Sequence, residues 1–244
     1  MHGIDIVKPD WPAPANVRAV MTTRDGGASS GPYASLNLAM HVGDDEAAVG
    51  ENRRRLRAAL RLPSELVWLE QVHGTDVAVL PGLVSGAADA VVSFTPGAVC
   101  AVLVADCLPV FLADREGDRV GLAHAGWRGL AAGVVEAAVA ALDCDPTQLL
   151  AWLGPSIGPR AFEVGPEVRE SFMTKDPASA GDFRRGHDGR FFADLPALAR
   201  RRLAACGVES VHGGDWCTFS DPERFYSYRR DGATGRMAAL AWLA

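Results

Sequence analysis

Six histidines (His2, His41, His73, His124, His187 and His212) and five cysteines (Cys100, Cys107, Cys144, Cys206 and Cys217) are this chain's stock of nitrogen and sulfur metal ligands. Three of them share a setting. His73, in EQVHGTD, closes one apolar strand-like run. Cys107, in VADCLPV, lies between two such runs. His124, in GLAHAGWRG, ends another before a glycine-rich turn. Two imidazoles and a thiolate suit a zinc ion, and three protein ligands leave the fourth tetrahedral position open for chemistry. Spacing alone does not select these three. Intervals of 34 and 17 residues match no metal motif, and a solitary histidine or cysteine is more often a satisfied core or turn residue. Their common place at strand ends is what groups them. His212-Gly213-Gly214-Asp215-Trp216-Cys217 reads as a turn with a partly buried cysteine, not as a ligand pair.

Anion-binding groups come next. Arg24-Asp25-Gly26-Gly27, Gly126-Trp127-Arg128-Gly129, Gly158-Pro159-Arg160 and Arg229-Arg230-Asp231-Gly232 each set arginine beside glycine. Glycine lets backbone approach a ligand, and guanidinium offers a planar fork to phosphate or carboxylate. For any one loop a solvated turn is the commoner role; that at least one of the four binds an anion is the expectation. The GxSxG elbow, the P-loop, GxGxxG and the HxE…PCxxC deaminase signature are all missing.

These side chains need a rigid frame. Val17–Thr23 reads as a strand running into the 24–27 turn, and residues 28–43 as a long ordered loop. Asp44 or Asp45 can cap a helix over Glu46–Leu60, ended by Pro63. Leu66–Val72 and Asp76–Leu80 are strand-like. Ala90–Phe94, Val99–Val104, Val110–Ala113, Arg119–Ala123 and Leu149–Leu153 are short apolar runs of buried-strand type. Leu130–Leu142 reads as one helix, and Asp145-Pro146 as a turn. Further helices are expected at Pro166–Met173 and Leu195–Cys206, with strands at Phe225–Tyr228 and Met237–Trp242. The charged stretch Lys175–Gly189 is either a lid or, more commonly for such composition, a solvated loop. Without a repeat or a low-complexity linker, residues 1–244 read as a single α/β domain of sheets covered by helices.

With 24 basic and 30 acidic side chains the net charge is −6, which argues against a nucleic-acid partner. Gly129–Leu142 is too short and too interrupted to span a membrane. The start MHGIDIVKPDWPAP lacks a basic then apolar pattern, so no secretory signal is expected. An odd, scattered cysteine set fits a reducing cytoplasm rather than a disulfide framework.

The segments MTTRDGG, SLNLAMHVGDD, WLEQVHGTDV, ADAVVS, VADCLPV, AHAGWRG, GPSIG and FYSYRRDGATGRMAALAWL closely resemble the YfiH family, from about Val20 to the C-terminus. That family was formerly labelled laccase-domain or multicopper polyphenol oxidase, and is also described as purine nucleoside phosphorylase. The resemblance implies a layered sandwich of mixed β-sheets covered by helices, like a bacterial cytotoxic necrotizing factor. It implies zinc on His73, Cys107 and His124, with copper as the alternative metal. It implies phosphorolysis of adenosine, inosine and S-methyl-5′-thioadenosine to free base and (methylthio)ribose 1-phosphate, and hydrolytic deamination of adenosine. Alternatives are removal of L-serine from a UDP-linked muramyl precursor and copper-dependent oxidation of phenols. Six histidines are too few for the mononuclear and trinuclear centres of an ordinary laccase, although one His/His/Cys set could hold a single copper.

On that reading the partners are a purine nucleoside and phosphate, with no obligate protein partner. Arg24 and Arg128 are the expected phosphate contacts, Asn37 a sugar or phosphate contact, and Cys107 a thiolate held by the metal. Asp106 and Glu70, the acids nearest the ligands in sequence, are expected either to carry a proton or, more simply, to orient a ligating histidine.

Overall fold

Runs such as CAVLV and MAALAWL are apolar at every position, so a sheet built from them must be covered on both faces. The computed structural model, which describes residues 3–82, 84 and 86–244, provides that cover in layers. Its strands are β1 (Ile6–Val7), β2 (Val17–Thr22), β3 (Val77–Leu80), β4 (Ala90–Ser93), β5 (Cys100–Val104), β6 (Leu108–Asp114), β7 (Val120–Ala125), β8 (Leu149–Leu153), β9 (Glu163–Val164), β10 (Phe183–Arg185), β11 (Phe191–Ala193), β12 (Ser210–Gly213) and β13 (Met237–Leu243). Its helices are α1 (Glu46–Leu60), α2 (Trp127–Ala132), α3 (Val134–Ala141), α4 (Pro166–Met173), α5 (Leu195–Ala205) and the single turn α6 (Tyr228–Asp231).

A four-stranded sheet of order β1-β2-β13-β5 faces a six-stranded mixed sheet of order β12-β8-β6-β7-β4-β3. Met21, Val102, Val104, Ala239 and Leu243 of the first meet Val91, Phe111, Leu122 and Trp152 of the second in a core between the sheets. The outer face of the six-stranded sheet buries Leu108, Val110, Leu112 and Leu153 beneath α2, α3, α4 and α5. The outer face of the four-stranded sheet packs Leu103, Leu240 and Trp242 against Leu36, Leu38 and the α1 residue Leu56. Each fully buried Leu or Phe contributes about 1.5–3 kcal/mol. The fold is therefore the expected layered α/β sandwich of mixed sheets, with a small β10-β11-β9 sheet added beside it.

Several local expectations change. Leu66–Val72 forms no strand. The Gln71 side chain satisfies the β5 edge in its place, its Nε2 donating to Leu103 O at 2.9 Å and its Oε1 accepting from Leu103 N at 2.8 Å. The helix expected over Leu130–Leu142 begins at Trp127 and breaks at Gly133, whose φ of +118° is incompatible with an α-helix. Phe225–Tyr228 is not a strand. The Tyr226 amide donates to Met237 Sδ at 3.1 Å, and Ser227 caps α6 by accepting from Arg230 N. The Lys175–Gly189 stretch holds a 3-10 turn at Pro177–Asp182 and strand β10, anchored by buried Phe183 against Phe172. His212 lies within β12, not in a turn; its strand pairs parallel with β8. No helix among the described residues is long and apolar enough to cross a membrane. His2 lies outside the described residues.

The loop at residues 28–43 is ordered because α1 holds it. Asp45 caps the helix by accepting from Ala48 N, while Asp44 turns back to accept from Ser29 and Asn37. Asn52, buried on α1, donates to Ser29 Oγ, Ser35 O and Asn37 O and accepts from Ala28 N. Removing that amide takes a hydrogen bond from four partners, of which Ser29 and Asn37 are buried. Asn52→Ala should cost about 3 kcal/mol in urea unfolding with little change in denaturant slope, and should open residues 28–43 to protease.

Candidate metal centre

Strand register brings two of the three suspected ligands together. β6 and β7 pair antiparallel up to Leu108↔Ala125 and Pro109↔His124, so Cys107 and Gly126 emerge side by side at the end of that ladder. His73 arrives from the other side on the loop before β3. The ligand atoms of His73, Cys107 and His124 all lie within 4.8 Å of one another. Cys107 Sγ is 3.6 Å from His73 Nε2, and the two imidazoles meet edge to face with centroids 4.8 Å apart. A tetrahedral zinc with ordinary Zn–N and Zn–S bonds sets nitrogen and sulfur about 3.6 Å apart, so the donor set fits that metal. Among the described residues this is the one His/Cys/acid group so gathered.

The glycines of AHAGWRG follow from this crowding. A Cβ at Gly126 would lie 2.6 Å from His73 Cδ2 and 3.0 Å from Cys107 Sγ, and one at Gly129 would lie 3.0 Å from Gly74 O. Backbone is strained on both sides of the cluster. His73 has φ +61° and Asp106 has φ +89°, conformations that cost a non-glycine residue about 1–3 kcal/mol and persist only where surroundings impose them.

The surroundings that impose them are two buried carboxylates. Asp89 accepts from the amides of Val72 (3.0 Å), His73 (3.0 Å) and Gly74 (2.7 Å), and contacts His124 Nδ1 at 2.7 Å. Asp106 accepts from Thr218 Oγ1 at 2.6 Å and from Arg229 N at 2.7 Å. Neither acid expected to orient a histidine does so. Asp106, turned by its positive φ, braces the 218 and 229 segments, and Glu70 is exposed with its carbonyl bonded to Ala88. Asp89 takes that place because the β4/β7 register, Ala90↔Ala123, sets it beside His124.

Burial opposes a charged Cys107, yet His124 and His73 beside it pull its thiol down to about 6. Burial likewise opposes a charged His124, and Cys107 and Asp89 nevertheless raise it to about 9. Hydrogen bonds from His124 and from the Gly74 and Val72 amides outweigh burial and keep Asp89 below the ordinary carboxyl value. The sulfur is thus available as thiolate, the form that binds metal.

The cluster floors a cleft of about 520 Å³ lined also by His41, Gln71, Trp127, Arg128, Tyr228, Arg229 and Arg236. No carboxylate is in that lining among the described residues. Among the described residues Arg128, Arg229 and Arg236 have no carboxylate within ion-pairing distance, in contrast to Arg54, Arg119 and Arg230. Arg236 is half-buried, and burial lowers its guanidinium from the ordinary value despite nearby Cys107 and Asp106. Partial burial, Arg236 and Arg53 lower His41, leaving its imidazole neutral near pH 7. A larger groove of about 1010 Å³, between Gly3–Asp5, residues 25–27 and α1, contains none of the ligands.

Of the suspected anion contacts, Arg128 lines the cleft, and Arg24 and Asn37 do not. Arg24 donates to Ala34 O and Pro222 O and lies over the Tyr226 ring at 4.8 Å, joining two loops. Asn37 is fully buried and bonded to Ala39, Asp44 and Arg236 N. Arg160 is exposed outside the cleft, and Arg230 holds the carbonyls of Thr218, Phe219 and Phe225. Cys217 accepts from Gly158 N, and His212 contacts Ser210 Oγ. Arg236 and Tyr228 were missed although Gly235 precedes Arg236 and Tyr228 ends the strand expected at Phe225–Tyr228; His41 carries neither signal.

A family model described as multi-copper polyphenol oxidoreductase laccase matches residues 18–244. The purine nucleoside phosphorylase YfiH of Escherichia coli is 55% identical over 240 residues, covering 98% of each chain. A purine nucleoside phosphorylase of Pseudomonas aeruginosa is 56% identical over 236 residues, covering 96% of this chain and 97% of that one. The crystal structure of a Neisseria meningitidis protein of the DUF152 family is 49% identical with TM-score 0.93 and 98% of both chains covered. That of YlmD from Geobacillus stearothermophilus is 34% identical with TM-score 0.90, covering 98% of this chain and 96% of that one.

Gly126→Ala should keep native circular dichroism and lose at least about tenfold in metal affinity, since its methyl displaces the His73 ring. Cys107→Ala should lose most bound metal. His212→Ala should retain it, and metal analysis of the three purified proteins checks all of these outcomes.

Proposed function

This chain belongs to the multi-copper polyphenol oxidoreductase laccase family, and from its cleft we propose that it is a zinc-dependent purine nucleoside phosphorylase. The substrates would be adenosine, inosine and S-methyl-5′-thioadenosine, split by phosphate into free purine and (methylthio)ribose 1-phosphate. One observation carries the reading: three guanidiniums without carboxylate partners share a cleft with the His73/Cys107/His124 cluster. Arg236 is half-buried while Arg128 and Arg229 are exposed at its rim; cations so grouped favour an anion among them, and against a net charge of −6 such a cleft also focuses anions toward itself.

Phosphorolysis forms a bond from a phosphate oxygen to C1′ as the C1′–purine bond breaks, through a transition state of oxocarbenium character. Arg128, Arg229 and Arg236 would hold the phosphate, and Arg236, the most withdrawn from water, is the anchor. Phosphate held this way would be positioned for attack on the sugar, and such positioning supplies much of the rate. Tyr228 and Trp127 offer the aromatic faces on which a purine can lie. The departing purine takes up a proton, and the Tyr228 hydroxyl is a lining group able to give one. Zinc on His73, Cys107 and His124 would act as a Lewis acid at the cleft floor.

The reading is tested by incubating the purified holoprotein with adenosine or inosine, with and without phosphate, and separately with a UDP-linked muramyl precursor carrying serine. Ribose 1-phosphate formed only with phosphate supports it. Inosine released from adenosine without phosphate would instead identify a deaminase, and free serine a cell-wall editing hydrolase. Removing metal with a chelator should abolish turnover, and added Zn²⁺ should restore it.

Arg236→Met should raise KM for phosphate about tenfold or more while KM for nucleoside changes little, as expected for loss of charge-assisted hydrogen bonds. Arg24→Ala should leave KM for phosphate unchanged and lower thermal stability instead. Initial rates over a phosphate series, with a melting curve for each protein, separate the two.

A further inference from the structure

We infer that Asp89 is a positioning residue that sets both histidines of the cluster at once, selecting the His124 nitrogen that faces the cleft and holding the His73 loop in its strained turn. The inference rests on the metal reading of His73, Cys107 and His124. It concerns how this chain's own residues form that centre, and it makes no use of the nucleoside chemistry.

Four hydrogen bonds carry the argument. Asp89 is fully buried, and its two oxygens divide the four contacts evenly. Oδ1 takes the His73 amide at 3.0 Å and His124 Nδ1 at 2.7 Å. Oδ2 takes the amides of Val72 at 3.0 Å and Gly74 at 2.7 Å. A carboxylate only accepts, so the group facing Oδ1 from His124 must be Nδ1–H. That leaves Nε2 as the ring atom free to bind metal. On the other side, three successive amides point at one carboxylate, and His73, the middle residue of the three, is at φ +61°. The turn is therefore wound around the acid, and the imidazole it carries is aimed by the same contact. The main chain adds to this, since His124 N donates to Asp89 O at 2.7 Å.

An asparagine cannot replace this carboxylate, although it has the same shape. Its amide presents one accepting oxygen and one donating NH₂, whereas all four groups around position 89 donate. If the oxygen serves Val72 and Gly74, the NH₂ confronts His73 N–H and His124 Nδ1–H. The imidazole then relieves the clash by moving its proton to Nε2, which blocks the metal-facing nitrogen. If the oxygen serves His73 and His124, the Val72 and Gly74 amides lose their partner and the turn loosens.

The experiment measures Zn²⁺ affinity of the intact wild-type chain and of Asp89→Asn by competition with a chromophoric chelator. It also records long-range ¹H–¹⁵N spectra of the histidines in the Zn²⁺-loaded proteins. Asp89→Asn should bind Zn²⁺ about 10- to 100-fold more weakly, with circular dichroism unchanged. In loaded wild type, His124 should show a protonated Nδ1 and a metal-bound Nε2; this signal does not depend on whether the variant folds. Equal Zn²⁺ affinity in wild type and Asp89→Asn, or a wild-type His124 bound through Nδ1, would overturn the inference and leave the metal reading intact. A wild-type chain that takes up no Zn²⁺ would overturn the metal reading and this inference with it.

Discussion

The β4–β7–β6 ladder is the constraint on which the site depends. Antiparallel pairing places Asp89 beside His124 on one side of β7 and Cys107 beside Gly126 at its end. The separation between these groups is then a property of sheet geometry rather than of loop flexibility. Both faces of the ladder are packed, one against the four-stranded sheet and the other against α2 and α3, so the strand ends have little freedom to shift. His73 comes from a loop, and three amides bonded to Asp89 give that loop the definition of the strands beside it.

A second consequence concerns charge. The thiol at 107 and the imidazole at 124 each stabilise the other's charged form against the cost of burial. The remaining acids nearby, Asp89 and Asp106, face away from the cleft with their oxygens occupied by protein donors. The lining is left with arginines, neutral His41, Gln71, aromatic rings, the apolar residues 103–105 and the ligands. This division, carboxylates behind and cations in front, gives the cleft its preference for an anion on an otherwise acidic protein.

The arginines differ in where they reach rather than in how they are held. Arg24, Arg53 and Arg230 donate to backbone carbonyls of neighbouring segments and fasten loops outside the cleft, and Arg24 and Arg53 also lie over the Tyr226 and Trp68 rings. Arg128, Arg229 and Arg236 line the cleft and lean on Trp127, Phe162 and Tyr228; Arg229 and Arg236 also donate to carbonyls, but among the described residues none of the three has a carboxylate beside it. A ring orients a guanidinium without neutralising it, so its charge stays available to a ligand. Arginine beside glycine could not distinguish these two uses, because both need a turn and a long flexible stem.

By itself the sequence determined the buried strands, the Asp45-capped helix at Glu46–Leu60, the helix at Pro166–Met173, and the strand ends beside which Cys107 and His124 sit, whereas His73, expected at a strand end, comes from a loop. Local polarity patterns decide these, and the layered α/β sandwich follows from how many such runs need cover. Where the pattern was read as continuous, a single residue altered it: Gly133 split a helix, and the Gln71 amide stood in for a strand. Only the tertiary structure decided which acid orients His124 and which arginines reach the cleft. Asp89 is 35 residues from His124 and Arg236 lies still farther along the chain. Such partners meet through strand register and layer packing, and nothing in a residue's immediate neighbours encodes which distant side chain will lie opposite it.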